Sequence, residues 1–177
     1  MTYTVEKGKH DFKPNNQAWI TGKNKIEGYF SFTESMYFHA EDPDYPHGSD
    51  VYDWNKISGL TWFLSSNSNW SAMLAWRPNQ GKRNSFEVGA YINKKKGGFD
   101  FETIRVVDVG QTVFFQLIWV SDTAVFKTRT EGENDFKFLQ MPLKNPPWWF
   151  PYFREIGPWF GGNRPAHKDM TFELETR

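Results

Sequence analysis

Apolar and polar residues alternate with a period of two along most of the chain. Ile26, Tyr29, Phe30 and Phe32 lie in one such run over 24–33, and Ile57, Leu60, Trp62 and Leu64 in a second. Trp70, Met73, Ala75 and Arg77 mark a third, closed by Pro78. Phe86, Val88, Ala90 and Ile92 alternate with Glu87, Gly89, Tyr91 and Asn93, and strand-like runs follow over 101–107, 125–130 and 169–175. Such alternation sends successive side chains to opposite faces of a strand. Polar and glycine-rich stretches at 79–84 and 94–98 predict the intervening turns. Residues 112–120 are apolar at nearly every position, which predicts a central strand buried on both faces, joined through Ser121-Asp122 to the run at 125–130.

No amphipathic helical stretch is present, and about a dozen short strands at close spacing predict a sandwich or barrel. Residues 40–54 and 145–165 read as long loops, and loops of that length in a compact domain are usually functional. The composition agrees: aromatic residues make up 19% of the chain, with 17 Phe and 9 Trp, and aromatic side chains favour strands. The chain reads as one β-sandwich domain over 1–177, with no linker or repeat.

Charge and cysteine content narrow the chemistry. Lys plus Arg balance Asp plus Glu at 21 each, so no net field draws the chain to nucleic acid or an anionic membrane. No apolar run approaches the roughly 18 residues of a spanning helix, so no membrane insertion is expected. The first five residues are polar and alternating, unlike a signal peptide. The absence of cysteine removes disulfides, thiolate metal sites and thiol nucleophiles.

The loop at 41–53 clusters carboxylates, and Asp42, Asp44 and Asp50 are its candidate ligands for calcium, which takes several oxygens. The same loop carries Tyr45, Tyr52 and Trp54, whose rings suit stacking on sugar C–H faces. A second aromatic cluster, Trp148, Trp149, Phe150, Tyr152, Phe153, Trp159 and Phe160, reads as mostly core, with alternation turning one ring of the Trp148-Trp149 pair outward. Arg77 can clamp a carboxylate or stack on a ring, or simply pair with Glu87 or Asp53. No strand carries the paired carboxylates of a glycosidase, and the four histidines have no metal-ligand spacing. His39, Tyr91 and Arg77 would have to converge for lyase chemistry on uronic acids.

Three segments in order, 53–60 (Asp53-Trp54-Asn55-Lys56-Ile57-Ser58-Gly59-Leu60), 69–77 (Asn69-Trp70-Ser71-Ala72-Met73-Leu74-Ala75-Trp76-Arg77) and 87–93, resemble a loose group of small bacterial and phage-associated concanavalin A-like proteins. The closing stretch 157–172, with Phe160-Gly161-Gly162 leading through Ala166-His167-Lys168-Asp169 into the last strand, is similar to that group's ending. The resemblance implies a two-sheet antiparallel jelly-roll sandwich and little about activity. Relatives carry histidines at 67–70, where this chain has none.

The resulting expectation is a non-catalytic, lectin-like module binding a glycan or polysaccharide. Trp62, Trp76, Arg77, Tyr91 and Asn93 would line one sheet face, with Tyr52 and Trp54 at its rim. A structural or receptor-binding component of a virion or surface assembly, contacting its own copies or other assembly proteins, is the alternative; a polysaccharide lyase or glycosidase is the third. An extracellular, cell-surface or virion location accompanies these readings.

Overall fold

The computed structural model describes residues 1–14, 22–45, 51–62, 69–94, 98–143, 153–161 and 164–177. Twelve strands follow in chain order: β1 Thr2–Val5, β2 Phe12–Lys13, β3 Lys25–Phe32, β4 Asn55–Trp62, β5 Ser71–Pro78, β6 Ser85–Asn93, β7 Phe99–Asp108, β8 Val113–Val120, β9 Thr123–Thr130, β10 Lys137–Pro142, β11 Phe153–Ile156 and β12 Met170–Thr176. Helical backbone among the described residues is confined to 3-10 turns, at Glu34–Met36 and at Val51 and Tyr52.

The strands form a seven-stranded sheet, ordered β10-β9-β8-β3-β12-β1-β2, and a five-stranded sheet, ordered β11-β4-β5-β6-β7. Every pairing is antiparallel. The predicted all-β, two-sheet jelly-roll sandwich is therefore what the chain adopts. The 121–122 connection makes a two-residue hairpin, with Val120 opposite Thr123 and Ser121 at φ 54°, the backbone such a tight turn demands.

The inner faces meet through aromatic side chains. Phe32 of β3 packs on Phe86 of β6 at 4.3 Å between ring centroids and on Trp76 of β5 at 5.3 Å. Phe30, Phe115, Phe126 and Phe172 complete the core from the seven-stranded side. At one edge Arg105 of β7, 4% exposed, crosses between the sheets. Its Nε donates to Thr128 Oγ1 and its Nη2 to the Thr128 carbonyl, both at 2.8 Å, and its Nη1 reaches Glu133 at 2.7 Å. The buried guanidinium is thus satisfied, and it holds the Glu133 carboxyl down at about 2.

Three readings of the sequence need correction. Strand β8 is not buried on both faces: Val113, Phe115, Leu117 and Trp119 face the core, while Phe114, Gln116 and Ile118 are half-buried and Val120 is exposed. The segment 145–165 is not all loop, because Phe153–Ile156 pairs with β4 as an edge strand. Trp62 and Trp76 do not line a binding face. Trp76 is fully buried between the sheets. Trp62 lies directly opposite Phe153, whose ring meets Trp119 of the other sheet at 4.9 Å, so it too has the inward register.

Candidate functional site

The outer face of the five-stranded sheet carries the candidate site. Arg77, Ala75 and Met73 of β5 pair with Glu87, Gly89 and Tyr91 of β6, and Gly89, Tyr91 and Asn93 with Thr103, Phe101 and Phe99 of β7. Residues directly opposite share a face, so these side chains project together, away from the core. A β-bulge between Lys56 and Ser58 shifts the phase of β4. It leaves Lys56 opposite Ala75 on the outer face and sends Ile57 into the core.

These residues, with the segment 52–54, enclose a groove of about 410 Å³ lined by Tyr52, Asp53, Trp54, Lys56, Tyr91, Phe99 and Phe101. That is within the range of small-ligand sites, roughly 300–1,000 Å³. Its walls are rings. Phe99 stacks on Tyr91 at 5.4 Å and 11°, and Trp54 meets Phe101 at 5.7 Å. Tyr52, Phe99 and Phe101 remain 55%, 53% and 47% exposed, so each leaves ring surface open to a ligand, although Phe99 also stacks on Phe101 at 6.3 Å. The Trp54 indole lies directly over Gly89: a Cβ there would sit 2.7 Å from the ring and 2.5 Å from the Glu102 carbonyl oxygen. Only glycine leaves that ring its place.

Arg77 stacks its guanidinium on Trp54 at 4.7 Å and binds Glu87 through Nε and Nη2 at 2.9 and 2.7 Å. It braces the wall and is already neutralised. Asn93 donates to Ser71 Oγ at 2.9 Å beside Phe99.

Lys56 forms the floor. Its Nζ donates to the Trp54 carbonyl at 2.6 Å and stands 4.4 Å over the Tyr91 ring. Trp159 exchanges two backbone hydrogen bonds with Lys56, and Gly161 approaches so closely that a Cβ would lie 2.8 Å from Nζ. Burial pulls the Lys56 ammonium down to about 8, with Asp53 opposing the change. Burial, reinforced by Asp53, pushes the Tyr91 phenol up, so it stays protonated at neutral pH.

The Lys56 amine is therefore expected to titrate near pH 8, well below an exposed lysine, in a pH series of competitive acylation read by mass spectrometry. The sign for stability follows. The folded state loses this proton first, so between about 8 and 10.5 the unfolded chain holds more protons and the Lys56 contribution favours folding increasingly as pH rises. Lys56→Met should flatten that part of the stability profile.

The structure brings together Tyr52, Trp54, Arg77, Tyr91 and Asn93 of the expected site. Lys56, Asp53, Phe99 and Phe101 were not foreseen from the sequence. The signals were there: the three-residue step from Ile57 to Leu60 marks the bulge, and Phe99-Asp100-Phe101 places two rings on one face. His39 does not join Tyr91. Its ring lies 3.2 Å from the Gln80 carbonyl at the β5–β6 hairpin, and its backbone N–H donates to Asp42 at 2.7 Å. Asp42 also pairs with Arg83 at 3.3 Å, Asp44 is exposed, and Asp50 lies outside the described residues. Among the described residues no three acidic or histidine side chains gather as a metal site. Trp148, Trp149, Phe150 and Tyr152 also lie outside the described residues. Phe160 is core, and Trp159, 41% exposed, stacks on His10 at 5.4 Å.

No protein-family model matches the sequence, and no curated protein matches it. Solved structures do. An alginate lyase from Klebsiella pneumoniae is similar with a TM-score of 0.60 and 8% identity, over 86% of this chain and 59% of the lyase. A functionally unknown protein from Saccharomyces cerevisiae is similar with a TM-score of 0.54 and 8% identity, over 99% of this chain and 86% of that one. A pseudo β-1,3-glucanase of Mycobacterium tuberculosis is similar with a TM-score of 0.52 and 13% identity, over 99% of this chain and 72% of that one. The chain spans only about three-fifths of the Klebsiella lyase. At these identities the likeness establishes the fold: a concanavalin A-like jelly roll.

Proposed function

We propose that this protein is a non-catalytic carbohydrate-binding module whose site is the groove on the five-stranded sheet. The observation that carries the reading is three half-exposed rings, Tyr52, Phe99 and Phe101, around a polar floor made by Lys56. Sugar rings present C–H faces to aromatic planes and hydroxyls to donors and acceptors, and the groove holds both kinds of surface. Two of the similar structures are named for polysaccharides, alginate and β-1,3-glucan. Arg77 is committed to Glu87 and His39 sits elsewhere, so the His39, Tyr91 and Arg77 trio that lyase chemistry would need does not converge on this face.

The test is a glycan-array screen of the purified protein, followed by titration with alginate and β-1,3-glucan oligosaccharides, with tryptophan fluorescence reporting on Trp54. Specific saturable binding is the expected result. It should persist with a chelator, because Asp42 is already engaged by Arg83 and the His39 backbone. Absence of any saccharide ligand, with a stable symmetric oligomer in solution, would replace this reading with that of an assembly component.

A further inference from the structure

The opposite face of the sandwich carries a second groove, of about 530 Å³, lined among others by Tyr29, Thr112, Phe114, Arg129, Glu131 and Asn134. The register aligns its residues across neighbouring strands. Tyr29 of β3 stands opposite Phe114 of β8, which stands opposite Arg129 of β9. In the next outward row Glu27, Gln116, Lys127 and Phe138 follow across β3, β8, β9 and β10. Rings run through both rows. Tyr29 meets Phe114 at 5.1 Å, Phe114 meets Phe136 at 5.6 Å, and the Arg129 guanidinium lies 5.0 Å from the Phe136 ring. Phe138 is 68% exposed and Phe136 40%.

The charges on this face are unevenly satisfied. Glu27 is held by Lys25 at 2.7 Å and by Gln116 at 2.8 Å, Glu175 by Arg177 at 2.7 Å, and Glu133 by Arg105. Lys127 and Arg129 are half-buried, and among the described residues no carboxylate pairs with either. They lie two residues apart on one strand and so share a face, about 7 Å from each other along β9. Both cations thus remain available to an anionic ligand.

We propose that this face of the seven-stranded sheet is a second ligand site, for an acidic saccharide bearing carboxylate or sulfate groups. Its anionic groups meet Arg129 and Lys127, and its C–H faces lie on Phe136, Phe138 and Tyr29. Two cations about 7 Å apart, beside Glu27, Glu133 and Glu175 that are already paired, match a chain that alternates anionic groups with ring faces. Polyuronates and sulfated glycans carry such groups on pyranose rings whose C–H faces suit the exposed aromatic rings; a phosphodiester strand is the competing polyanion and is an arm of the test. This inference does not depend on the groove of the other sheet.

The test uses the full chain, labelled for NMR, titrated with a panel of oligogalacturonate, alginate and sulfated-galactan hexasaccharides. Hexametaphosphate and a thymidylate dodecamer serve as polyanions without, and with, a different ring system. The expected result is that an acidic hexasaccharide shifts the Arg129 Nε–H and the Phe138 and Tyr29 ring resonances. Lys127→Ala/Arg129→Ala should weaken that binding about tenfold or more, as should Phe138→Ala, which removes an exposed ring and leaves the core intact. Tyr52→Ala and Phe99→Ala, on the other face, should leave it unchanged. The proposal fails if none of the hexasaccharides moves these resonances. It fails equally if the thymidylate or hexametaphosphate binds as tightly, or if the loss follows only the Tyr52 and Phe99 variants. If the double variant does not fold, Phe138→Ala decides.

Discussion

Trp76→Ala is expected to destabilise the fold by about 3–5 kcal/mol, the cost of deleting a large ring from a close-packed core. In a chain of this length that lowers the Tm by about 6–20 °C. Trp76 is wholly inaccessible and touches Phe32, Phe86 and Phe160, which come from three separate stretches of chain. Its removal opens a void between the two sheets that rigid flanking strands cannot close. Trp76→Phe should cost much less. It keeps most of the apolar volume and also removes the indole N–H, which has no hydrogen-bond partner among the described residues. Thermal or urea unfolding of the two variants checks both values. Equal stability of Trp76→Ala and the parent would mean that this side chain is not where the structure puts it.

The second large effect is on binding. Phe99→Ala combined with Tyr52→Ala should weaken saccharide affinity by well over tenfold while moving the Tm little. Both rings are more than half exposed, so their loss removes stacking surface without creating a core cavity. Trp54→Ala behaves differently. Trp54 is 5% exposed and wedged over Gly89 beneath Arg77, so this variant should lose stability and binding together. Gly89→Ala should reproduce its binding defect by displacing the ring. Isothermal titration with a saccharide identified by the array, paired with thermal unfolding, separates the two classes. Unchanged affinity in the folded double variant would remove the groove as the site.

Much of this architecture was legible beforehand because period-two alternation is a local property of the chain. It marked the strands over 25–32, 71–78, 85–93 and 123–130. It also puts Trp76 and Arg77, neighbours in one strand, on opposite faces, which the expectation of both rings and guanidinium on one binding face overlooked. Alternation cannot say which face turns inward. That depends on the other sheet: Phe32 and Phe86 close over Trp76, leaving Arg77 with Trp54 and Glu87 outside. The same limit explains Trp62, a large ring that composition alone made a plausible sugar platform. Strand β11 was missed because four residues flanked by proline and glycine carry too little pattern to stand out from a loop.

Local chemistry in the sequence determined the all-β class, the 121–122 hairpin, the absence of thiol chemistry and the aromatic wealth from which either groove is made. Tertiary structure decided the sites. Only pairing across strands sets Tyr91 against Phe101 and Asn93 against Phe99. Only the bulge in β4 rotates Lys56 to the outer face, and only the approach of Trp159 and Gly161, a hundred residues later in the chain, buries its amine. The reason is physical: strand propensity and alternation act over a few neighbouring residues, whereas a binding groove is an arrangement of side chains from distant strands. Register, bulges and sheet-to-sheet packing fix that arrangement together.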